Sequence, residues 1–151
     1  MRVALTDFKI PQAVFEEMCA RARAAAPLEC CGLLGGREAV EGEGRPLLAQ
    51  SIYPLRNASP RPDVAYEAAP EELFEAQRRM RVRGERLVAL YHSHPRSSDP
   101  APSAADVRLA FYPDAVYFII GFEEGGACAV RAFRIFEREG RWQPAAFEVE
   151  H

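Results

Sequence analysis

The stretch Leu87-Val-Ala-Leu-Tyr91-His-Ser-His-Pro95 decides the fold, because it joins a core strand to a polar cluster. Its first five residues are all apolar, a pattern typical of a fully buried β-strand. Side chains two positions apart point to the same face of a strand, so the imidazoles of His92 and His94 share one face. The stretch therefore predicts a buried strand that presents a pair of histidines at its end.

On both sides of this strand, the chain alternates between strand patterns and helix patterns. Helices are predicted from Pro11 to about Pro27, from Pro70 to Gly84, and from Ser103 onward. Strands are predicted over residues 3–8, 30–34, 47–53, 64–66, 87–91, 115–122, 127–136 and 142–149. Strands mixed with three helices predict a layered α/β fold with a mixed sheet, and we expect residues 1–151 to form a single domain.

Two local patterns refine this prediction. The pair Gly35-Gly36 is expected to end the strand 30–34, and the polar, glycine-rich residues 37–45 are expected to form a hairpin loop. In the second helix, the apolar spacing predicts a buried side made of Leu73, Phe74, Gln77 and Met80.

The composition excludes several classes of protein. Of the 151 residues, 48% are apolar and 27% are charged, which is typical of a globular domain and excludes wholesale disorder. No apolar run approaches the roughly 20 residues that span a bilayer. The first nine residues contain no apolar signal region, so we expect a cytoplasmic protein that does not act at a membrane. The net charge of −3 argues against a protein that binds nucleic acid through its phosphates.

The two histidines and a nearby acidic residue form a candidate metal site. Asp106 follows His94 by twelve residues and lies in the first turn of the third predicted helix. Two histidines and one carboxylate, with a position left for water, are typical of catalytic zinc rather than structural zinc. Simpler interpretations exist, since His-Ser-His also suits a polar strand end, and Ser103-Ala-Ala-Asp106 also has the pattern of a capping box. A cap and a ligand are compatible roles for Asp106.

Glu29 is the next candidate, because it lies between an apolar helix and an apolar strand. A carboxylate there is either a solvated corner residue or a positioned base. Metal-assisted hydrolysis needs a carboxylate that takes a proton from water and passes it to the leaving amine. Glu29 is the acidic residue best placed for that role.

Taken together, these residues resemble the JAMM metallopeptidases (MPN+ domain), most closely their short, free-standing prokaryotic branch. The motifs are His92-Ser-His-Pro95, Ser103-x-x-Asp106 and the upstream Pro27-Leu-Glu-Cys-Cys-Gly-Leu-Leu34. The resemblance covers nearly the whole chain. It implies an α/β/α sandwich, related to the cytidine deaminases, with a mixed and mainly antiparallel sheet.

The resemblance also implies a role for each motif residue. His92, His94 and Asp106 correspond to the ligands of one zinc ion per chain. Glu29 corresponds to the general acid/base, and Ser103 to the residue that stabilises the tetrahedral oxyanion. In one respect the chain departs from the family, since eight residues (95–102) separate His94 from Ser103 where seven are usual. An extra residue in a Pro/Ser loop costs little, because the helix can still present Asp106.

Three other interpretations are less favoured. A nucleobase deaminase needs H-x-E and P-C-x-x-C, which this chain lacks. The segment Asp99-Pro-Ala-Pro-Ser103 is similar to the DNA-repair-associated branch, but Glu29-Cys-Cys-Gly favours the peptidases. A thiol nucleophile at Cys30 or Cys31 would need a histidine partner, but the histidines belong to the candidate metal site. Both cysteines are therefore interpreted as buried strand residues. The four cysteines (Cys19, Cys30, Cys31 and Cys128) have no C-x-x-C spacing, so we expect reduced thiols and no all-cysteine zinc site.

The implied function is a zinc-dependent peptidase or isopeptidase. Its implied substrates are attached to the C-terminal tail of ubiquitin-like or sulfur-carrier proteins. The alternative is a catalytically silent scaffold or binding module of the same fold, but such members usually lack the ligands, and all are present here. The sequence leaves open the carrier protein, the type of bond and the oligomeric state, a dimer included.

Overall fold

Eight β-strands form one sheet in the computed structural model, which describes residues 5–41 and 44–151. The strands are β1 (Phe8–Pro11), β2 (Cys31–Glu38), β3 (Leu47–Leu55), β4 (Arg86–Ser93), β5 (Val116–Phe122), β6 (Cys128–Phe136), β7 (Arg141–Ala145) and β8 (Phe147–Glu150). Their order is β7-β6-β5-β4-β2-β3-β1-β8. Three neighbouring pairs are parallel (β1–β3, β1–β8 and β4–β5) and four are antiparallel. The sheet is therefore mixed and mainly antiparallel, as predicted.

Helices cover both faces of this sheet. They are α1 (Gln12–Ala25), α2 (Pro70–Val82) and α3 (Ala104–Arg108). Neighbouring strand residues point to opposite faces: in β2, Leu34 packs in the cluster that contains α1, whereas Leu33 packs against α2. In β5, Phe118 belongs to the α1 side and Ile119 to the side of α3. The layers α1, sheet, and α2 with α3 confirm the α/β/α architecture.

The sheet curls until its two edges meet. Strands β7 and β8 lie at opposite ends of the strand order, yet only Ala146 separates them in the chain. Asp7, just before β1, fixes this corner, because its carboxylate accepts a hydrogen bond from the Ala146 N–H at 2.8 Å. The single strand predicted over 142–149 is therefore wrong, since the chain bends at Ala146 and joins both edges of the sheet.

Three other local predictions need correction. The first strand begins at Phe8, residues 5–7 precede it, and residues 3–4 lie outside the described part of the chain. Residues 64–66 form a turn and loop instead of a strand. The pair Gly35-Gly36 does not end β2: the strand continues through a bulge there. A Cβ on Gly36 would lie 1.9 Å from the Leu48 carbonyl oxygen, so the glycine allows close approach of β3 instead of stopping the strand.

The helix limits agree well with the sequence patterns, but one face was misassigned. Gly84, with φ of +73°, follows the end of α2 as predicted. Phe74 is 69% exposed, whereas Ala76 and Met80 are buried. The buried side of α2 therefore follows the helical spacing of Leu73, Ala76 and Met80. None of the helices in the described residues is long and apolar enough to cross a membrane.

Candidate active site

Two histidines and one aspartate meet where β4 ends. His92 lies within β4, His94 follows the strand, and Asp106 lies in the first turn of α3. The Nε2 atoms of His92 and His94 are 3.0 Å apart. The Asp106 Oδ2 atom lies 3.2 Å from His92 Nε2 and 3.1 Å from His94 Nε2. The fold thus brings Asp106 to two histidines that precede it in the chain by 14 positions (His92) and 12 positions (His94).

The distances between these three atoms fit a divalent cation. Ligand atoms of a tetrahedral zinc site, with bonds of about 2.0–2.1 Å, lie about 3.3–3.4 Å apart. The three atoms here are 3.0–3.2 Å apart. Two imidazole nitrogens and one carboxylate oxygen are also a ligand set that catalytic zinc sites use. The geometry and the donor chemistry therefore both suit zinc.

Glu29 lies next to this cluster, on the segment between α1 and β2. One of its carboxylate oxygens and the ring nitrogens of His92 and His94 lie within 4.8 Å of one another. Burial raises the pKa of Glu29 to about 7, although the charge of His94 opposes this effect. A carboxyl group that exchanges its proton near neutral pH is suited to acid–base catalysis.

Ser93, between the two histidines, holds the segment of Glu29 next to the site through hydrogen bonds to Cys30. Cys31 pairs with His92 across β2 and β4, so the residues before β2 lie beside the end of β4. The Ser93 side chain accepts a hydrogen bond from the Cys30 N–H at 2.8 Å, and the Ser93 N–H donates to the Cys30 carbonyl at 3.1 Å. These two bonds fix the residue next to Glu29 against the histidine strand.

A capping box holds Asp106, as the Ser-x-x-Asp pattern predicted. The Ser103 Oγ accepts a hydrogen bond from the Asp106 N–H at 3.1 Å, and Asp106 Oδ2 accepts one from the Ser103 N–H at 2.9 Å. That same Oδ2 atom faces both imidazoles. Although burial alone would raise it, the hydrogen bonds from His92 and His94 hold the pKa of Asp106 far below its usual range. The cap and the candidate ligand are therefore one carboxylate.

The surroundings of the two imidazoles shift their pKa values in opposite directions. Burial lowers the pKa of His92, which favours the neutral ring. Burial acts in the same direction on His94, but the hydrogen bond and charge of Asp106 outweigh it, so the pKa of His94 is raised. Protons therefore compete with a metal more strongly at His94 than at His92.

The long loop after His94 is fixed to β5. The His94 N–H donates to the Ile120 carbonyl at 2.9 Å, and the Phe122 N–H donates to the Ser97 carbonyl at 2.9 Å. A Cβ on Gly121 would lie 2.1 Å from that Ser97 oxygen. Gly121 thus lets the loop pack directly on the strand, and with the extra loop residue in place Asp106 still lies within 3.2 Å of both imidazoles.

Asn57 connects the segment of Glu29 to the loop that follows β3. Its Nδ2 donates to the Glu29 carbonyl and to the Ala65 carbonyl, both at 2.9 Å. Its Oδ1 accepts from the Ser59 N–H at 3.0 Å and from the Glu67 N–H at 3.1 Å. These four bonds use the full capacity of the amide. Asn57 therefore fixes both the backbone of Glu29 and the backbone on either side of Tyr66.

Replacing Asn57 with Ala should lower the free energy of unfolding by about 1–3 kcal/mol, because partly buried backbone groups lose their partners. Denaturant unfolding of the purified variant measures this loss. Asn57→Asp keeps the acceptor but sets a carboxylate oxygen against the Glu29 and Ala65 carbonyl oxygens, so its loss should be at least as large as that of the Ala variant. Equal stability of the Ala variant and the unmodified chain would contradict this role.

Cys30 and Cys31 are free thiols that are poorly suited to act as nucleophiles. Burial raises the pKa of the Cys31 thiol to about 12, and burial also raises the pKa of Cys30. The nearby histidines face Asp106. A thiolate at either position is therefore disfavoured, in agreement with the sequence interpretation.

Sequence reasoning missed four residues that support the site: Ser93, Asn57, Tyr66 and Gly121. A serine between two candidate ligands, and an asparagine that begins a proline-rich loop, were the available signals. The contribution of Tyr66 and Gly121 depends on contacts between distant segments, which no local pattern reveals.

Comparison with known proteins agrees with this geometry. Residues 11–145 match the family described as prokaryotic homologs of the JAB domain. The chain is 40% identical over 93 residues to a desampylase of Haloferax volcanii, and the match spans 62% of each protein, less than two thirds of the relative. It is 36% identical over 129 residues, 85% of this chain and 76% of the relative, to a "Probable TtuB-protein conjugate cleaving protease" of Thermus thermophilus. It is 34% identical over 120 residues, 80% of this chain and 77% of the relative, to a CysO-cysteine peptidase of Mycobacterium tuberculosis.

Solved structures show the same fold. A Desulfitobacterium hafniense protein superposes with a TM-score of 0.79 at 32% identity, covering 95% of this chain and 93% of that chain. A Salinibacter ruber protein, at 22% identity, superposes with a TM-score of 0.71 and covers 95% of this chain and 92% of that chain. The family match covers nine tenths of the sequence and includes the histidine, aspartate and glutamate cluster. The chain therefore belongs to the prokaryotic JAB family, the zinc-dependent JAMM group that its motifs resemble.

Proposed function

We propose that this chain is a zinc-dependent hydrolase that cleaves amide bonds at the C-terminal tails of ubiquitin-like or sulfur-carrier proteins. The observation that carries the proposal is the triangle of His92, His94 and Asp106 atoms with sides of 3.0–3.2 Å, beside the buried carboxyl group of Glu29. The names of the relatives, among them a conjugate-cleaving protease and a peptidase, support hydrolysis of such bonds.

His92, His94 and Asp106 are the proposed ligands of one zinc ion, and Glu29 is the proposed acid/base. Both carboxylates lie near the imidazoles, so the assignment depends on distance. Asp106 Oδ2 lies within 3.2 Å of both Nε2 atoms. The carboxylate oxygen of Glu29 lies up to 4.8 Å from the ring nitrogens of the same histidines. Asp106 is therefore the closer donor, and its capping bonds hold it rigidly in that position.

The proposed reaction is hydrolysis of an amide. Zinc, when bound, supplies a Lewis acid that polarises the carbonyl group and lowers the pKa of water. The Glu29 carboxylate accepts a proton from the attacking water, whose oxygen forms a bond to the carbonyl carbon. The C–N bond then breaks, and Glu29 passes the proton to the departing amine nitrogen. The Ser103 hydroxyl donates a hydrogen bond to the carbonyl oxygen as negative charge develops there.

The cleft above the cluster suits an extended chain terminus. Its volume is about 370 Å³, and its lining includes the exposed side chains of Val64 and Leu109 together with Tyr66 and Arg96. A cleft of this volume, lined by apolar side chains and an arginine, has room for a short, flexible peptide tail and not for a folded domain. This shape supports a substrate bond located in a protein tail.

Ser103→Ala separates capping from catalysis. Loss of the cap should cost about 0.5–2 kcal/mol of stability, and loss of the hydroxyl donor should lower kcat by about 10²–10³-fold. Asp caps as well as Ser but cannot donate to an oxyanion, so Ser103→Asp should recover stability and not activity. Melting temperature and kcat, measured together, decide between the roles. Near wild-type turnover of the Asp variant would show that Ser103 acts only as a cap.

The function is tested by incubating the purified chain with linear and isopeptide-linked fusions to ubiquitin-like and sulfur-carrier proteins, with product masses read by mass spectrometry. We expect cleavage directly after the carrier tail, loss of cleavage after chelation, and recovery with added zinc. A chain that binds zinc and cleaves none of these fusions would instead support a binding module.

We also propose that residues 1–151 act as a single catalytic domain in the cytoplasm. The four free thiols support the cytoplasmic location, because thiols stay reduced there.

A further inference from the structure

The ring of Tyr66 lies flat against the ring of His92. The two ring centroids are 4.4 Å apart and the planes differ by only 24°, so the rings are stacked. His94 approaches the same imidazole with its edge, at a centroid distance of 4.8 Å and an angle of 62°. His92 is 1% exposed, and both the face of Tyr66 and the ring of His94 contact its buried imidazole.

The described protein groups do not orient the His92 imidazole through its second ring nitrogen. A metal-binding histidine normally donates a hydrogen bond from its second ring nitrogen to a carboxylate, a carbonyl group or water, and that bond fixes the plane of the ring. The Nδ1 atom of His92 is buried, and none of the protein groups in residues 5–41 and 44–151 forms a hydrogen bond with it. The plane of this ring therefore depends on packing.

Tyr66 is itself held firmly enough to impose that plane. It belongs to a loop, but its two neighbours are fixed, since Asn57 bonds the Ala65 carbonyl and the Glu67 N–H. The same loop is tied to the Glu29 backbone, whose N–H donates to the Pro62 carbonyl at 2.7 Å. The phenol ring thus has a fixed backbone on both sides and reaches the histidine strand from the loop between β3 and α2.

We propose that Tyr66 is a positioning residue that fixes the plane of the His92 ring by stacking and so directs His92 Nε2 toward the metal. This inference rests on the proposed function, because it assumes that His92 binds zinc. The face of the ring performs the role. The hydroxyl group is not required, so phenylalanine at this position should work as well as tyrosine.

The test is zinc affinity, measured by competition with a chromophoric chelator on the metal-free protein. Tyr66→Leu should weaken zinc binding about 10-fold or more, the range found when outer partners of metal ligands are removed. Tyr66→Phe should bind zinc as the unmodified chain does. Tyr66→Met provides a second variant without an aromatic face should the Leu variant fold poorly. Tyr112→Leu, a tyrosine outside the cleft that packs beside α3, is the control for general loss of an aromatic ring.

Two results would overturn the inference. One is zinc affinity of the Leu and Met variants within about twofold of the unmodified chain, even if their melting temperatures fall. The other is equal weakening in Tyr66→Phe, which would assign the effect to the hydroxyl group. Failure of the proposed zinc site looks different, because the unmodified chain would then bind no zinc in the first titration. Failure of the proposed hydrolysis alone would leave zinc binding intact, and the affinities of the Tyr66 variants would still test this inference. In the zinc-loaded enzyme, we expect kcat to fall in the Leu variant and Tyr66→Phe to restore kcat.

Discussion

Glu29→Gln is expected to keep the fold and the metal but to lower kcat by about 10²–10⁴-fold, the contribution of a general acid–base group. Glutamine has nearly the shape of glutamate but cannot accept the proton of the attacking water. It also cannot protonate the departing amine, so both steps of the reaction lose their proton carrier. The effect is measured as turnover of a cleavable tail fusion. Metal content and melting temperature, measured on the same variant, check that the metal and the fold are kept.

Asp63 provides the matched control, because its carboxyl group lines the same cleft without belonging to the histidine cluster. Asp63→Asn should retain turnover within a fewfold of the unmodified chain. If the Glu29 variant keeps more than about a tenth of the activity, another group is the base. A large loss in the Asp63 variant instead would identify that group.

Single alanine substitutions of His92, His94 and Asp106 are expected to weaken zinc binding by about 100-fold or more, beyond the 10- to 100-fold that outer partners contribute. The proposed site holds the ion with three protein groups, so each loss leaves two. Metal analysis after dialysis and chelator competition give the affinities. His151→Ala is the control, because the third histidine of the chain is exposed and bonds Gln12 instead of the site. Unchanged zinc content in all three site variants would refute the assignment.

The affinity for zinc should also fall as the pH is lowered, because a protonated imidazole cannot bind a metal. The pKa of His94 is raised and that of His92 is lowered, so protonation affects His94 first. The loss should therefore begin above the ordinary histidine value of about 6.5 and deepen as His92 follows at lower pH. Chelator competition between about pH 5 and 8 measures the slope. A flat profile would contradict histidine ligands.

The features that were predictable from sequence are those that depend on local periodicity. The two-residue period of a strand placed His92 and His94 on one face, and the capping pattern placed Asp106 in the first turn of α3. Both follow from backbone geometry that a short window of residues determines. The ends of α1 and α2 were predictable for the same reason.

Features that depend on contacts between distant segments were not predictable. The pair Gly35-Gly36 has the pattern of a strand end, yet β3 passes so close that glycine is needed within the strand. The corner at Ala146 depends on Asp7, from the other end of the chain. Asn57 has the pattern of an ordinary loop residue, and its role emerges only when the Glu29 segment lies beside it.

The meeting of the two sheet edges at Ala146 has a consequence for how the protein is made. Strand β1 is completed on one side by β8, and Asp7 and Ala146, which join there, are 139 positions apart in the chain. A ribosome therefore releases β1 and the apolar face of α1 long before residues 147–150 exist to cover them. Pairings of such long sequence separation form slowly and leave apolar surface exposed meanwhile. We expect the nascent chain to gain its native sheet only after residue 150 has emerged, and to depend on chaperones until then.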